Sequence, residues 1–317
     1  MLPEPEFHSM LKKILTDFLL FPAVGLAVLL GLWLMASAMT YDAESKISTL
    51  PGPAQTWEES KLYVLEPLAY RNETDQGILL MTWSSLLRVL AGFGIALAIG
   101  VPLGMALGTS AVFNKMIDPA IQILRPVSPL AWYPIGFAIF LSYNKEWEVN
   151  VGELAAIFTV AVCAMWPTVL NTAKGVRSIP QDYHNVAKVL GLRGPQKTFK
   201  ILLPAAFPDM FTGFRLSLGM AWLVIVAAEM LTAKNGIGGF LNQEFNAGKT
   251  EHILLCVITI GLVGFVLDRL MSVAEANTDK LLNLPFALAA RLRNRSVSTE
   301  IDPAIAADGR SAAHAVS

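Results

Sequence analysis

Six stretches of this sequence carry almost no charge, and most are close to the length needed to cross a bilayer. They run over 18–40, 89–114, 126–144, 154–173, 216–228 (resuming after Glu229 through Met230 and Leu231) and 252–267. A spanning helix takes about 20 predominantly apolar residues, and a charge at its centre costs about 3 kcal/mol or more. In lipid every backbone polar group must be paired within the segment, so helices or closed barrels are the available solutions. Apolar runs of this length favour helices. The reading is an all-α, polytopic membrane protein with six transmembrane helices. A further apolar stretch over 281–290 is too short to span and suits the interface.

Composition agrees. Of 317 residues, 54% are hydrophobic and 15% charged, with a mean hydropathy of +0.51. Soluble domains carry about 25% charge. A soluble globule of this make-up would expose large apolar patches, and disorder, collagen and coiled coil are excluded by the same arithmetic. The net charge of −1 gives no nucleic-acid signature. Cys163 and Cys256 lie in apolar runs and read as packing residues rather than a bridge. His8, His184, His252 and His314 lack metal-ligand spacing and read as structural or surface groups.

Lys and Arg in the loops set orientation. With the N-terminus inside, the inner segments hold Lys12, Lys13, Lys115, all six basic residues over 174–200, Arg269, Lys280 and the arginines of the tail. The outer segments hold only Lys46, Lys61, Arg71, Lys145, Lys234 and Lys249, among acids such as Glu58, Glu59 and Glu66. Both termini are therefore expected to be cytoplasmic. Lys12 and Lys13 before the first span, with Ala36-Ser37-Ala38 at its end, resemble a signal peptide. The run is longer than the usual signal core, which favours an uncleaved helix. The chain divides into an anchor helix with an external segment (1–78), a five-helix block (79–275) and a tail (276–317), the tail expected to be mobile beyond Arg295. No internal repeat is seen, so inverted-repeat transporters gain no support.

The longest inner connection, 174–204, carries six Lys/Arg against Asp182 alone. Pro180 can open a helix, Asp182 suits its positive end, and Gly191 can stop it. Tyr183, Val186, Ala187 and Leu190 fall on one face at helical spacing. Pro195 starts a second short helix, 196–202, ended by Pro204. Two short helices with a glycine hinge, an apolar face and a basic rim make a docking surface for a partner protein. The alternative is a basic loop resting on lipid headgroups.

Here the sequence resembles a family. Permeases of ABC importers carry a cytoplasmic motif of Glu-Ala-Ala, three residues, Gly, nine residues, Ile, one residue and Leu-Pro. This chain has Asn185-Val186-Ala187, then Gly191, Ile201 and Leu203-Pro204 at that spacing, with Asn185 and Val186 departing in identity. Ser85 to Phe93, Leu124 to Trp132, Gly213 to Leu216 with Trp222, and Ala228-Glu229-Met230-Leu231 look like the nitrate/taurine/sulfonate/bicarbonate branch. Ile179 to Tyr183 and Leu50 to Pro53 look most like its nitrate-type permeases. The resemblance implies the type I permease core, with a coupling loop made by Tyr183, Asn185, Val186, Ala187, Gly191, Ile201, Leu203 and Pro204. It implies a homodimer of permeases, two cytoplasmic ATPase subunits that bind ATP and Mg, a periplasmic or lipid-anchored anion-binding protein, and a bacterial inner-membrane location. It implies no cofactor in this chain.

Other features carry weaker readings. Residues 191–198 miss the phosphate-binding loop pattern, since Gln196 replaces a glycine and Pro195 removes an N–H. Gly100, Gly104 and Gly108 fall on one helix face and suit close packing, either within the chain or at a dimer seam. Pro126, Pro129 and Pro134 break the third span, which either borders the solute path with Trp132 or is a kinked packing helix. Arg88, Arg125, Arg215 and Glu229 are charges in or beside spans. Arg88 and Glu229 pair, snorkel, or offer Arg88 to an anion, and with Trp132 they form the candidate path set. Asn72-Glu73-Thr74 is a bare sequon and is set aside.

The favoured function is an ATP-driven importer subunit for a small inorganic anion, nitrate first, with nitrite, cyanate, bicarbonate or a sulfonate such as taurine as alternatives. A stand-alone secondary transporter or channel is disfavoured by the scarcity of intramembrane carboxylates. A membrane enzyme is disfavoured because no nucleophile–base pair, metal cluster or paired carboxylates lie inside a span.

Overall fold

A computed structural model of the chain describes residues 20–42, 47–72, 75–147, 150–232 and 235–299, with side chains over 20–41, 49–72, 75–142, 150–232 and 235–277. Lys12, Lys13, His8, His314, most of the sequon, Lys234 and the tail past Thr299 lie outside the described residues. Helix α1 covers Phe21–Met39. A two-residue antiparallel pair follows, β1 (Tyr41–Asp42) with β2 (Ile47–Ser48), in register Tyr41 to Ser48. Then come α2 (Pro53–Leu65), α3 (Ile78–Thr109), α4 (Ala111–Leu124), α5 (Pro129–Trp147) and α6 (Val151–Arg177). The chain continues through α7 (Gln181–Val189), α8 (Pro195–Lys197), a π turn (Thr198–Leu202), α9 (Leu203–Thr232), α10 (Ile237–Asn246) and α11 (Thr250–Thr299).

Among the described residues, five helices are long and apolar enough to cross a membrane, and six segments qualify when α4 and the start of α5 are taken as one bent span. The two halves of that span are separated by a break over 125–128. Pro126 lies in the break, and Ser128 Oγ accepts from the Leu130 N–H at 3.3 Å. Pro129 opens α5, where a missing N–H does no harm. A separate interruption at Ser110 corrects the second span. It ends at Thr109 and not Asn114, because Ser110 turns extended (φ −119°, ψ 110°) and its side chain caps α4 by accepting from the Phe113 N–H.

Two more boundaries differ from the sequence reading. The second span starts at Ile78 rather than 89, because Arg88, whose charge set the earlier limit, is paired inside the protein. The fifth does not begin after a loop helix ended at Pro204. One apolar helical path runs Pro195–Thr232. Pro204 falls in the first turn of α9 and follows the π turn, whose wider winding leaves room for a ring that would otherwise press on the carbonyl four residues back. Helix α11 passes through residue 276 without interruption.

The chain forms two compact units. The first comprises 1–92, 128–160 and 222–264. Gly92 there lies against Val160, where a Cβ would come within 2.5 Å of its Cγ1. The second comprises 93–127, 161–221 and 265–317. In it Gly100 faces Thr168, Gly104 faces Thr172 and the Val169 carbonyl, and Gly108 faces Val176. The glycine stripe therefore packs α3 on α6 within the chain, resolving the choice between intrachain packing and a dimer seam. Thr168 and Ser217 bond at 2.7 Å beside it.

Candidate functional site

The loop predicted to dock a partner lies in the second unit. Pro180, extended at φ −58° and ψ 147°, precedes α7, and Asp182 occupies its first turn. The far end closes as a Schellman motif: the Leu192 N–H donates to the Ala187 carbonyl at 2.9 Å and the Gly191 N–H to that of Lys188 at 3.0 Å. Gly191 holds φ at +64°, which a side chain resists. Gly194 (φ +53°) then turns the chain into α8. Both ends of the loop are clamped in one apolar cluster, where Ile179 and Leu202 pack with Met105, Val176, Ala206 and Met210. The exposed helix is thus held on two short tethers rather than on a slack strand.

The predicted apolar face divides in two. Ala187 is fully buried and faces the protein, whereas Tyr183, Val186 and Leu190 are exposed. Asn185 and Gly191 are exposed, and Ile201, Leu203 and Pro204 are half-buried. Sequence reasoning missed Val189, 87% exposed, and Phe199 on the π turn. Both are apolar groups outside the heptad-like face, and their exposure had no pattern to announce it. The outward surface is Tyr183, Val186, Val189, Leu190 and Phe199, among Lys188, Arg193 and Lys200.

The other predicted set lies in the first unit. Arg88 on α3 and Glu229 on α9 pair directly, Nη1 donating to Oε1 at 2.8 Å. Arg88 also donates to the Asn235 carbonyl at 2.8 Å and to its Oδ1 at 3.1 Å, and its Nε lies 3.5 Å from Glu153. The second oxygen of Glu229 accepts from Ser85 Oγ at 2.8 Å and from the Gly238 N–H at 3.1 Å. Ser85 Oγ in turn accepts from the Ile237 N–H. A Cβ on Gly236 (φ +135°) would stand 2.5 Å from that carboxylate. Glu229 is 1% exposed. Of the three readings for Arg88, the geometry is that of pairing: the ion pair clasps the turn that leads into α10. Trp132 is not part of it. Its ring meets Phe158 edge-on at 6.5 Å, and its buried Nε1 has no hydrogen-bond partner among the described residues.

Arg215 and Arg125 differ from each other. Arg125 is exposed in the break of the bent span. Arg215 grips α11, its Nε and Nη2 donating to the two oxygens of Asp268 at 2.7 and 2.9 Å and its Nη1 to Glu275 at 3.3 Å. No cluster of three or more metal-ligating side chains occurs among the described residues.

Spans, a clamped loop helix presenting apolar groups in a basic setting, and a break in one span define a helical membrane transport component. The family described as "Binding-protein-dependent transport system inner membrane component" matches residues 100–280, and the chain belongs to it. It is 39% identical over 255 residues to the nitrate import permease protein NrtB of Synechocystis sp., covering 80% of this chain and 87% of that one. It is equally 39% identical over 259 residues to the bicarbonate transport system permease protein CmpB of Synechococcus elongatus, covering 81% and 88%. A solved structure of the MetNI methionine ABC transporter, inward facing, shares the fold at TM-score 0.50 and 18% identity, covering 62% of this chain and 94% of that one. The chain is thus an ABC importer permease of the inner membrane and a transporter subunit, not an enzyme. ATP hydrolysis belongs to a separate subunit.

Proposed function

We propose that this chain translocates a small planar oxyanion, nitrate before bicarbonate, driven by ATPase subunits that grip the loop helix α7. The reading rests on its likeness to nitrate import permeases, 39% identical over four-fifths of the chain. The bicarbonate reading is kept because CmpB proteins match as well. Both anions are flat, three-oxygen monoanions, so one path suits either. They differ in that bicarbonate carries an O–H donor.

The proposed assembly is two copies of this chain, two cytoplasmic ATPases with ATP and Mg, and a soluble anion-binding protein on the opposite side. Both termini are placed in the cytoplasm. The exposed valines, Leu190 and Phe199 enter an apolar cleft on the ATPase, and Lys188 and Arg193 meet its acidic rim. When the ATPases close, they pull α7. Its tethers at Ile179 and Leu202 pass that motion to α6 and α9 as a rigid displacement between two states. Asn185, where the family motif has Glu, leaves this contact more apolar than ionic.

The test is uptake into proteoliposomes holding the permease, its ATPase and its binding protein. ATP-dependent accumulation of isotopic nitrate, undiminished by equal bicarbonate, is the expected result. Accumulation of bicarbonate alone transfers the reading to that anion. Uptake without ATP sinks it.

A further inference from the structure

Helix α2 and its flanks are joined to three different spans, all within the first unit. At its start the Pro51 carbonyl accepts from Trp33 Nε1 of α1 at 2.9 Å. Past its end, the Pro67 carbonyl accepts from the Leu79 and Leu80 N–H groups at 3.1 and 3.3 Å, capping the first turn of α3. Between them, Gln55 Nε2 donates to Glu251 Oε1 at 2.9 Å, and Ser60 Oγ donates to the Glu251 carbonyl at 3.4 Å, in the first turn of α11. The face turned to these spans is closed: Thr56 and Ser60 are buried, and Tyr63 packs on Phe240 and His252.

The opposite face is open. Trp57, Lys61 and Leu65 recur every fourth residue along α2, and Leu68 stands in the turn after its end. Trp57, Leu65 and Leu68 are more than half exposed. Glu58, Glu59 and Glu66 lie to one side of that stripe, with Lys61 paired to Glu58.

The tie points fix the level of α2 relative to the bilayer. Helix α1 has 19 residues and no buried one. Its length is about 28 Å, no more than the hydrocarbon thickness of about 30 Å. Gln55 and Ser60 of α2 bond to Glu251 in the first turn of α11, and Pro67 caps the first turn of α3, so α2 lies level with the starts of two spans. The starts of spans lie at the boundary of hydrocarbon and headgroups, and the tryptophan and lysine of α2 are residues that boundary favours.

We propose that α2 is an interfacial strap whose Trp57–Lys61–Leu65 face, with Leu68 in the turn that follows, lies in the lipid headgroup layer and ties three spans together there. Lipid, not a soluble partner, covers this face.

The test uses the full chain in nanodiscs of phosphatidylethanolamine and phosphatidylglycerol. The seven tryptophans are kept, so that the Trp33 tie stays intact, and the emission lost in Trp57→Phe is read as that of Trp57. Lipids brominated high on the acyl chain are expected to cut Trp57 emission at least about twofold, with aqueous iodide quenching several-fold weaker than for free tryptophan. Full iodide quenching with no effect of brominated lipid overturns the strap. So does shielding that appears only when a binding protein is added. In a second measurement Trp57→Cys carries a nitroxide, since both native cysteines are buried. Greater collision with oxygen than with a water-soluble nickel complex supports the strap, and the reverse overturns it.

Discussion

Arg88 shows what a charge inside a span is for in this chain. Its guanidinium contacts Glu229, Asn235 and Glu153, so it is a structural tie before it is anything else. Arg88→Gln strands the carboxylate of Glu229, and removing one partner of a buried pair costs about 3–5 kcal/mol. The expected result is a large fall in melting temperature in detergent, recovered for the most part by Arg88→Gln with Glu229→Gln. Whatever folded transporter remains is expected to keep the KM of its anion. The sequence marked both charges, but 88 and 229 are far apart in the chain, and the partners that decide the matter are an asparagine carbonyl and a glycine N–H. Backbone donors leave no trace in composition. Gly191 was different. Its place after a helical face announced a stop, and its φ of +64° bears that out. Gly191→Ala is expected to cost about 1–2 kcal/mol in stability, read by thermal unfolding.

At the scale of elements, the spans were legible because their apolar runs are long, whereas their ends were not. The ends had been placed at charges and prolines. Arg88 is neutralised by pairing, and Pro204 is accommodated by a π turn, so both helices extend past the residues that seemed to limit them. The small-residue face of α3 was also legible, and its partner, α6, needed the structure. A Cβ on Gly104 would lie 2.6 Å from that of Thr172 and 2.7 Å from the Val169 carbonyl. Gly104→Val is expected to cost about 1–3 kcal/mol and to lower the yield of monodisperse protein on size exclusion. In α7 the apolar positions were recognised but their direction was misassigned at Ala187, because four apolar residues on one side of a helix do not say how many of them the protein covers itself. Val186→Asp with Val189→Asp is expected to abolish co-purification of the ATPase while leaving the melting temperature within about 1 °C, since surface changes are worth under about 0.5 kcal/mol.

For the molecule as a whole, helices α9 and α11 are joined by Arg215 to Asp268 and Glu275. The sequence pointed to the arginine alone, because its partners lie in a helix that reads as the end of the last span. If this junction tightens and loosens as the transporter cycles, Arg215→Gln is expected to change the ratio of ATP hydrolysed to anion moved, measured in proteoliposomes, more than it changes binding of the ATPase. Fold class was thus readable from hydropathy, and the driving partner only through the family resemblance that the loop motif carries. The cargo was not, since nitrate and bicarbonate permeases match this chain at equal identity.

The π turn at Thr198–Leu202 accommodates one residue more than regular winding would. A residue of α-helix corresponds to about 100° of rotation. Deleting one amino acid there would straighten the helical path and turn its opening residues, Pro195–Lys197, by roughly that angle against α9. With Ile179 still clamped at the other tether, α7 would be offered to its socket at a changed tilt, every valine kept and none aimed as before.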